Sequence, residues 1–347
     1  MSPVGLPRAV LADGIDAGVA AHYGDPLPEQ RRLAEAAGVV DRGNRGVVAV
    51  SGPERLSWLH NITTQHLTGL AAYQGTELLV LSPHGHVEHH AVVVDDGETT
   101  WLDTEPDAAA GLLDFLERMK FFAQVELRDA TAERAVVSLV GPDAALPGIA
   151  LAAPDVLPVP GAKFATGAVP ERATSVYAAA ALPDGGIARR MPGDRIDLLL
   201  PRAAAADFMV GCGAPASGIW AYEALRVASR TARLGLDTDH RTLPHEVDLL
   251  ATAVHLEKGC YRGQETVARV HNLGRPPRRL VLLHLDGSSD HLPPSGSDIS
   301  ADGRRIGYLG TAVHHYELGG IALAVLKRSV SDGAALEVGE VAAAIDA

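Results

Sequence analysis

Two consecutive prolines, Pro276 and Pro277, divide the chain more sharply than any other feature. Neither can donate a backbone N–H, and each disfavours a helical residue before it, so no helix or central strand continues through this point. The tail beyond them has a single character. Arg279–Leu285, Arg304–Val313, Ile321–Leu326, Ala335–Val338 and Val341–Ile345 are short, β-rich and separated by glycine turns, which predicts a small barrel or sandwich over 276–347.

The longer part before the prolines is mixed. Residues 1–45 form an N-terminal lead-in with a short helix around Glu29–Ala37. The strand Gly46–Ser51 feeds a helix carrying Leu56, Leu59 and Ile62, and Ser51-Gly-Pro53-Glu54 has the spacing of a capping box for it. Glu77–Leu81, His86–Val94 and Thr99–Asp103 are separated by turn signals and read as an antiparallel meander. An amphipathic helix over Asp107–Phe122 comes next, with Leu112, Phe115, Leu116 and Met119 on one face. These elements give an α+β lobe over 46–130. Strands at Val125–Arg128, Ala135–Val140, Ser175–Ala181 and Ile196–Leu200, a Pro/Ala/Gly-rich stretch over 142–170 and a helix at Arg202–Val210 give a second α+β lobe over 131–217. Residues 218–275 bring two further helices, Gly218–Arg230 and Pro244–Leu256.

Composition bounds the function classes. With 347 residues, 47% hydrophobic and 21% charged, the chain is an ordinary multi-lobed globular protein. No apolar run approaches the roughly 18 residues of a membrane span. Asp13 and Asp16 interrupt any apolar stretch after Arg8, so no signal peptide is read and a cytoplasmic protein is expected. Cys212 and Cys260 show no zinc-type spacing, which predicts two free thiols, the first inert. The net charge of −13 argues against nucleic acid or anionic lipid as partners. Locally it reverses. Lys258, Arg262, Arg269, Arg275, Arg278 and Arg279 stand against Glu265 alone, so 258–279 carries 6 − 1 = +5 and the remainder −18.

The segment Lys258-Gly-Cys-Tyr-Arg-Gly-Gln-Glu-Thr266 is the least ordinary. Gly259 and Gly263 bracket a reactive residue type, as in a tight loop. Lys258 and Arg262 flank Cys260 at two residues either side, where cations favour a thiolate. A small cysteine in a turn beside solvated arginines is the structural alternative.

Lys258–Glu265 closely resembles the signature of the YgfZ-type folate-binding proteins, relatives of the glycine-cleavage T-protein, an aminomethyltransferase. Val50–Thr64, Tyr222-Glu-Ala-Leu-Arg226, Pro244-His-Glu246 and Ile306-Gly-Tyr-Leu-Gly310 are similar to further stretches of those proteins. The resemblance implies a three-lobed α+β fold: two α+β lobes, one ferredoxin-like, and a C-terminal β-barrel around a central cavity. It implies a monomer that binds tetrahydrofolate or a derivative, holds no resident metal, and meets iron–sulfur client enzymes or assembly factors. The implied role is support of iron–sulfur cluster assembly or repair, and indirectly of tRNA thiomethylation. The functional cysteine falls on Cys260, with Lys258, Gly259, Tyr261, Arg262, Gly263, Gln264 and Glu265 on the other motif positions. Glu88, Tyr222, Arg226 and Arg269 are the candidate folate contacts.

Two departures bear on chemistry. The T-protein's catalytic aspartate lies in a Gly-Gly-X-X-Asp-Asp-like strand, and Gly85-His-Val-Glu-His-His-Ala91 lacks it, leaving Glu88, or less directly Asp95 and Asp96, as substitutes. Ala228 stands where a pteridine-binding glutamate is frequent. Aminomethyl transfer is accordingly the alternative function. His84, His86, Glu88 and His90 would share one face of an unbroken strand, a ligand set for zinc or iron, but Pro83 and Gly85 turn the chain there. The run Arg269–Arg279 could grip a folate's glutamate tail, meet a phosphate-bearing partner, or be solvated. Trp58, Trp220 and Tyr222 could stack on a pteridine, with core packing the alternative for Trp58.

Overall fold

The computed structural model describes residues 6–152, 177–287 and 291–346. The chain opens with a small hairpin, β1 (Val10–Leu11) and β2 (Ala20–His22), and helix α1 (Pro26–Glu35). Then come β3 (Gly38–Asp41), β4 (Gly46–Ser51), α2 (Arg55–Ile62), β5 (Gln74–Leu81), β6 (Val87–Asp95), β7 (Thr99–Thr104), α3 (Ala109–Lys120), β8 (Glu126–Asp129) and β9 (Arg134–Val140). A second run holds β10 (Tyr177–Ala181), β11 (Ile187–Met191), β12 (Arg195–Pro201), α4 (Ala205–Gly211), β13 (Ala216–Ser217) and α5 (Ile219–Ala228). After a helical turn α6 (Leu250–Ala253) and helix α7 (Gln264–Leu273), the tail is β14 (Arg278–Leu285), β15 (Asp298–Ala301), β16 (Arg304–His315), β17 (Gly319–Lys327), β18 (Leu336–Val338) and β19 (Val341–Ile345).

Eleven strands from both runs make one sheet in the order β13-β3-β9-β12-β11-β10-β5-β6-β7-β4-β8, and the six tail strands close a barrel. The fold is mixed α+β with a C-terminal barrel, as the sequence predicts. Alternation along the sheet builds separate cores on its two faces. Leu78, Val80, Ala91 and Val93 face α2 and α3, whereas Leu79, Leu81 and Val87 face α6 and α7. Val227 of α5 packs against Leu282, Ile321 and Leu323, joining the barrel to the sheet-bearing part.

Four expectations are corrected. The proposed capping box does not form: Gly52, at φ 104, packs so tightly on the chain that a Cβ would lie 2.4 Å from the Gln124 carbonyl, and the helix begins only at Arg55. The Glu54 carboxylate accepts from the Gln124 N–H at 2.5 Å instead. The helix expected through Phe122 stops at Lys120 because Phe121 turns to φ 44, leaving Phe121 and Phe122 in solvent. The helix expected over Pro244–Leu256 breaks into a turn at Pro244–Glu246 and α6, interrupted by Asp248 in the left-handed region at φ 58. Conversely α7 forms where a loop and basic run are expected. The strand expected at Ser175–Ala181 is seen from Tyr177, and the part of the Pro/Ala/Gly-rich stretch beyond 152 lies outside the described residues.

Candidate functional site

The motif is half loop and half helix, residues 258–263 leading into α7. Only one of its two glycines is required by the backbone. Gly263 has φ 82, and a Cβ there would sit 2.6 Å from the Ser82 carbonyl and 2.9 Å from the Gly85 Cα. Gly85, at φ 78, would place a Cβ 2.8 Å from Thr266. The loop is thus seated on the 82–86 turn through mutual glycine contact. Gly259 has open space around it.

Lys258 is buried, and its ammonium is taken up by backbone carbonyls. It donates to the carbonyls of His60, Thr63 (2.6 Å) and Gln65 (3.2 Å), just where α2 ends and the carbonyls lack helical partners. Burial pushes its pKa down to about 8. The ring of Tyr261 lies 5.3 Å from the same nitrogen and is buried among Leu79, Leu81, Val87, Leu250 and Val254. Gln264 donates to the Lys258 carbonyl at 3.3 Å, closing the loop on itself. Cys260 is left exposed, and Glu265 is exposed as well.

Arg262 has another partner too. Its guanidinium pairs with Glu88 at 3.0 Å, above the ring of Phe115. Glu88 can reach it because β6 is bulged: Val80 pairs with His89 but Leu81 pairs with Val87, so Glu88 is the extra residue, freed from the ladder. The two cations read as activating Cys260 therefore have other partners, a set of carbonyls and a carboxylate.

The same holds for most of the +5 segment. Arg278 binds Asp239 (2.7 Å) and Glu246 (2.8 Å), and Arg279 binds Asp332 (2.5 Å). Arg269, on α7, and Arg275, beyond it, are exposed and make no ion pair among the described residues. Of the aromatic candidates, Trp58 is core and donates to the Met119 carbonyl at 3.1 Å, while Trp220 is half exposed beside His22.

The histidines separate as the turn residues predict. His84 and His86 lie in the 82–86 turn, and His90 lies inside β6, where its Nε2 meets Glu77 Oε2 at 2.8 Å. Among the described residues no group of three or more His, Cys, Asp or Glu is placed to hold a metal ion.

Tyr222 and Arg226 belong to a different construction, which nothing in the sequence marks. Arg42, Arg45, Arg189, Arg195, Arg226 and Arg233 interleave with Asp16, Asp103, Glu105, Asp197, Glu223 and Asp237 between the sheet, α5 and the loop after it. Arg45 bridges Asp103 (2.7 Å) and Glu105 (3.0 Å), and Arg189 takes the other oxygen of Asp103 at 2.7 Å. Arg226 is held by Glu223 and Asp237, both at 2.8 Å, and reaches Thr311 of the barrel at 2.8 Å. The Tyr222 ring faces Arg42 at 4.6 Å, and its hydroxyl accepts from Arg195 at 2.5 Å. Burial alone would raise the Glu105 pKa, but Arg45 and Arg233 outweigh it and bring the carboxyl down to about 2. Asp197 is held well below the usual carboxylate range against the same burial effect, by Arg195, Arg42 and Arg189.

Residues 278–346 match the family described as the CAF17 C-terminal beta-barrel domain. A chloroplastic protein of Arabidopsis thaliana named as a transferase is 27% identical over 316 residues, 87% of this chain and 68% of that protein. The tRNA-modifying protein YgfZ of Buchnera aphidicola subsp. Schizaphis graminum is 36% identical over 99 residues, 27% of this chain and 30% of that protein. The glycine cleavage system aminomethyltransferase T from Bartonella henselae superposes with a TM-score of 0.77 at 17% identity, covering 98% of this chain and 93% of that one. The chain is similar to YgfZ-type and CAF17-type proteins and has the fold of the T-protein. On that fold the motif cysteine is displayed and the flanking residues are anchored. No helix among the described residues is long and apolar enough to cross a membrane.

Proposed function

We propose that the protein binds a reduced folate and serves as an accessory factor in assembling or repairing the iron–sulfur clusters of selected enzymes, affecting tRNA thiomethylation indirectly through such an enzyme. The observation that carries the proposal is Cys260: an exposed thiol on a loop whose neighbours are each fixed, Lys258 to three carbonyls, Arg262 to Glu88 and Gly263 to the 82–86 turn. A rigid loop presenting one soft ligand suits transient contact with a cluster or a client thiol. The tRNA-modifying name of the YgfZ relative supports the same direction.

The chemistry of a reduced folate matches groups present here. Its anionic tail matches the exposed Arg269 and Arg275. When bound, the folate would supply a carrier for a one-carbon unit. The protein's own residues hold it and keep Cys260 outside the packed core. A cytoplasmic or organellar compartment and a monomeric state belong to the same proposal.

A second reading, folate-dependent aminomethyl or one-carbon transfer, is favoured by the fold likeness across 98% of the chain. Calorimetry with tetrahydrofolate tests the shared part, with measurable heat expected and none at millimolar ligand contradicting it. Formation of methylene-tetrahydrofolate from an aminomethyl donor would select the transferase. Its absence, with folate bound, would select the accessory role.

A further inference from the structure

The strongest unassigned feature is a buried chain of hydrogen bonds on the face of the sheet that also carries the motif loop. Glu77, on β5, and His90, on β6, are diagonal neighbours on that face, since Leu79 pairs with His90 and Glu77 with Val92. Glu77 receives three donors: the imidazole of His90 at 2.8 Å, the hydroxyl of Tyr177, and Thr252 Oγ1 at 3.3 Å. Burial alone would raise the Glu77 pKa, but the His90 and Tyr177 hydrogen bonds and the nearby Arg195 bring it down, so the carboxyl is ionised.

An ionised carboxylate can only accept. His90 must therefore donate through Nε2, which leaves the lone pair on Nδ1, and Glu77 fixes this tautomer as an orienting carboxylate does in a catalytic triad. The backbone is pinned as well, because Thr104 Oγ1 donates to the His90 carbonyl at 2.8 Å. The His90 side chain keeps 15% exposure and shows no second hydrogen bond among the described residues. It lies two residues from the bulged Glu88 that meets Arg262, and Thr252 belongs to the segment leading into the motif.

We propose that His90 is a ligand-recognition residue of this site, its Nδ1 accepting an N–H of a reduced pteridine while Glu77 holds the tautomer. The assignment rests on the folate reading above. His90 stands in the stretch Gly85–Ala91, which carries no aspartate. The groups facing it are Glu77, Tyr177 and Thr252, with Arg195 beyond Glu77.

The test is calorimetric titration of the full chain with tetrahydrofolate at one fixed, near-neutral pH. His90→Leu, which offers no acceptor, should weaken binding about tenfold or more, and His90→Asn, whose amide oxygen still accepts, should stay within about threefold of the native affinity. Glu77→Gln, which releases the tautomer, should weaken binding about tenfold. Native-like affinity in His90→Leu, or a loss in His90→Asn as large as in His90→Leu, overturns the assignment and leaves folate binding intact. No heat with the native protein removes the folate reading and this assignment with it. Should the variants not fold, nitrogen NMR of the native imidazole decides: Nδ1 of His90 should shift on adding tetrahydrofolate, and an unmoved signal overturns the assignment.

Discussion

The motif loop and the arginine–carboxylate network are opposites in construction. At the loop, one buried ammonium and two glycine contacts fix a short segment, and the side chain of interest is exposed. In the network, six arginines and six carboxylates pair with one another, ten of the twelve buried and Arg195 and Asp16 half-buried. The difference teaches where to look for chemistry. Charges that satisfy each other inside the fold serve orientation, and removing one partner leaves the other in a medium that solvates it poorly. An exposed thiol on an anchored loop contributes little to stability and is free to react.

Substitutions should separate the two regions by size of effect. Asp103→Ala takes a carboxylate from both Arg45 and Arg189, leaving them Glu105 and the more distant Asp197, and is expected to cost about 3–5 kcal/mol, read as a fall in the urea midpoint. Should it cost less than about 1 kcal/mol, the network is not a structural clamp. Lys258→Met leaves the carbonyls at the end of α2 unsatisfied, and about 2–3 kcal/mol is expected, with faster hydrogen exchange confined to 258–266 and the end of α2. Gly263→Ala forces a left-handed alanine into the Ser82 carbonyl, and about 1–3 kcal/mol is expected from the same unfolding measurement. Cys260→Ala should move stability by less than about 0.5 kcal/mol.

Acid should act first through histidines and only later through the network. Burial lowers the pKa of His245 to about 4, with His271 adding repulsion, and His255 is lowered in the same direction by burial and His66. Groups lowered on folding bind fewer protons in the native state, so stability rises with pH, is complete above the unfolded value near 6.5, and declines as pH falls toward about 4. Glu105, down to about 2, adds a second loss below its unfolded value near 4.5. A urea midpoint that stays flat from about pH 7 to 5 would contradict the histidine part.

How much was legible depends on what repeats along the chain. Strands of the meander and barrel announce themselves as short apolar runs between turn signals, buried on both faces, as at Leu78, Leu79, Val80 and Leu81 or at Ile321, Ala322 and Leu323. Helix α7 does not, because Val267 is its one buried residue and the rest reads as polar loop. The Pro244–Leu256 break depends on a left-handed Asp248, a backbone choice with no side-chain pattern behind it. Most of the network is invisible for a different reason: Arg45 and Asp103 are 58 residues apart, and Arg233 and Asp16 are 217 apart, so a local window catches only pairs such as Glu223 with Arg226. The motif marks Lys258, but the carbonyls that take up its ammonium are a tertiary fact. The Glu77–His90 pair was half visible, since His90 stood in a histidine-rich run while Glu77 carried no mark.

The central claim, that the exposed motif thiol acts and does not merely pack, is tested most directly by Cys260→Ala in a strain lacking the native gene. The altered protein should fold with an unchanged melting temperature, and should fail to restore the activity of the strain's iron–sulfur enzymes. Full restoration by Cys260→Ala would contradict the account.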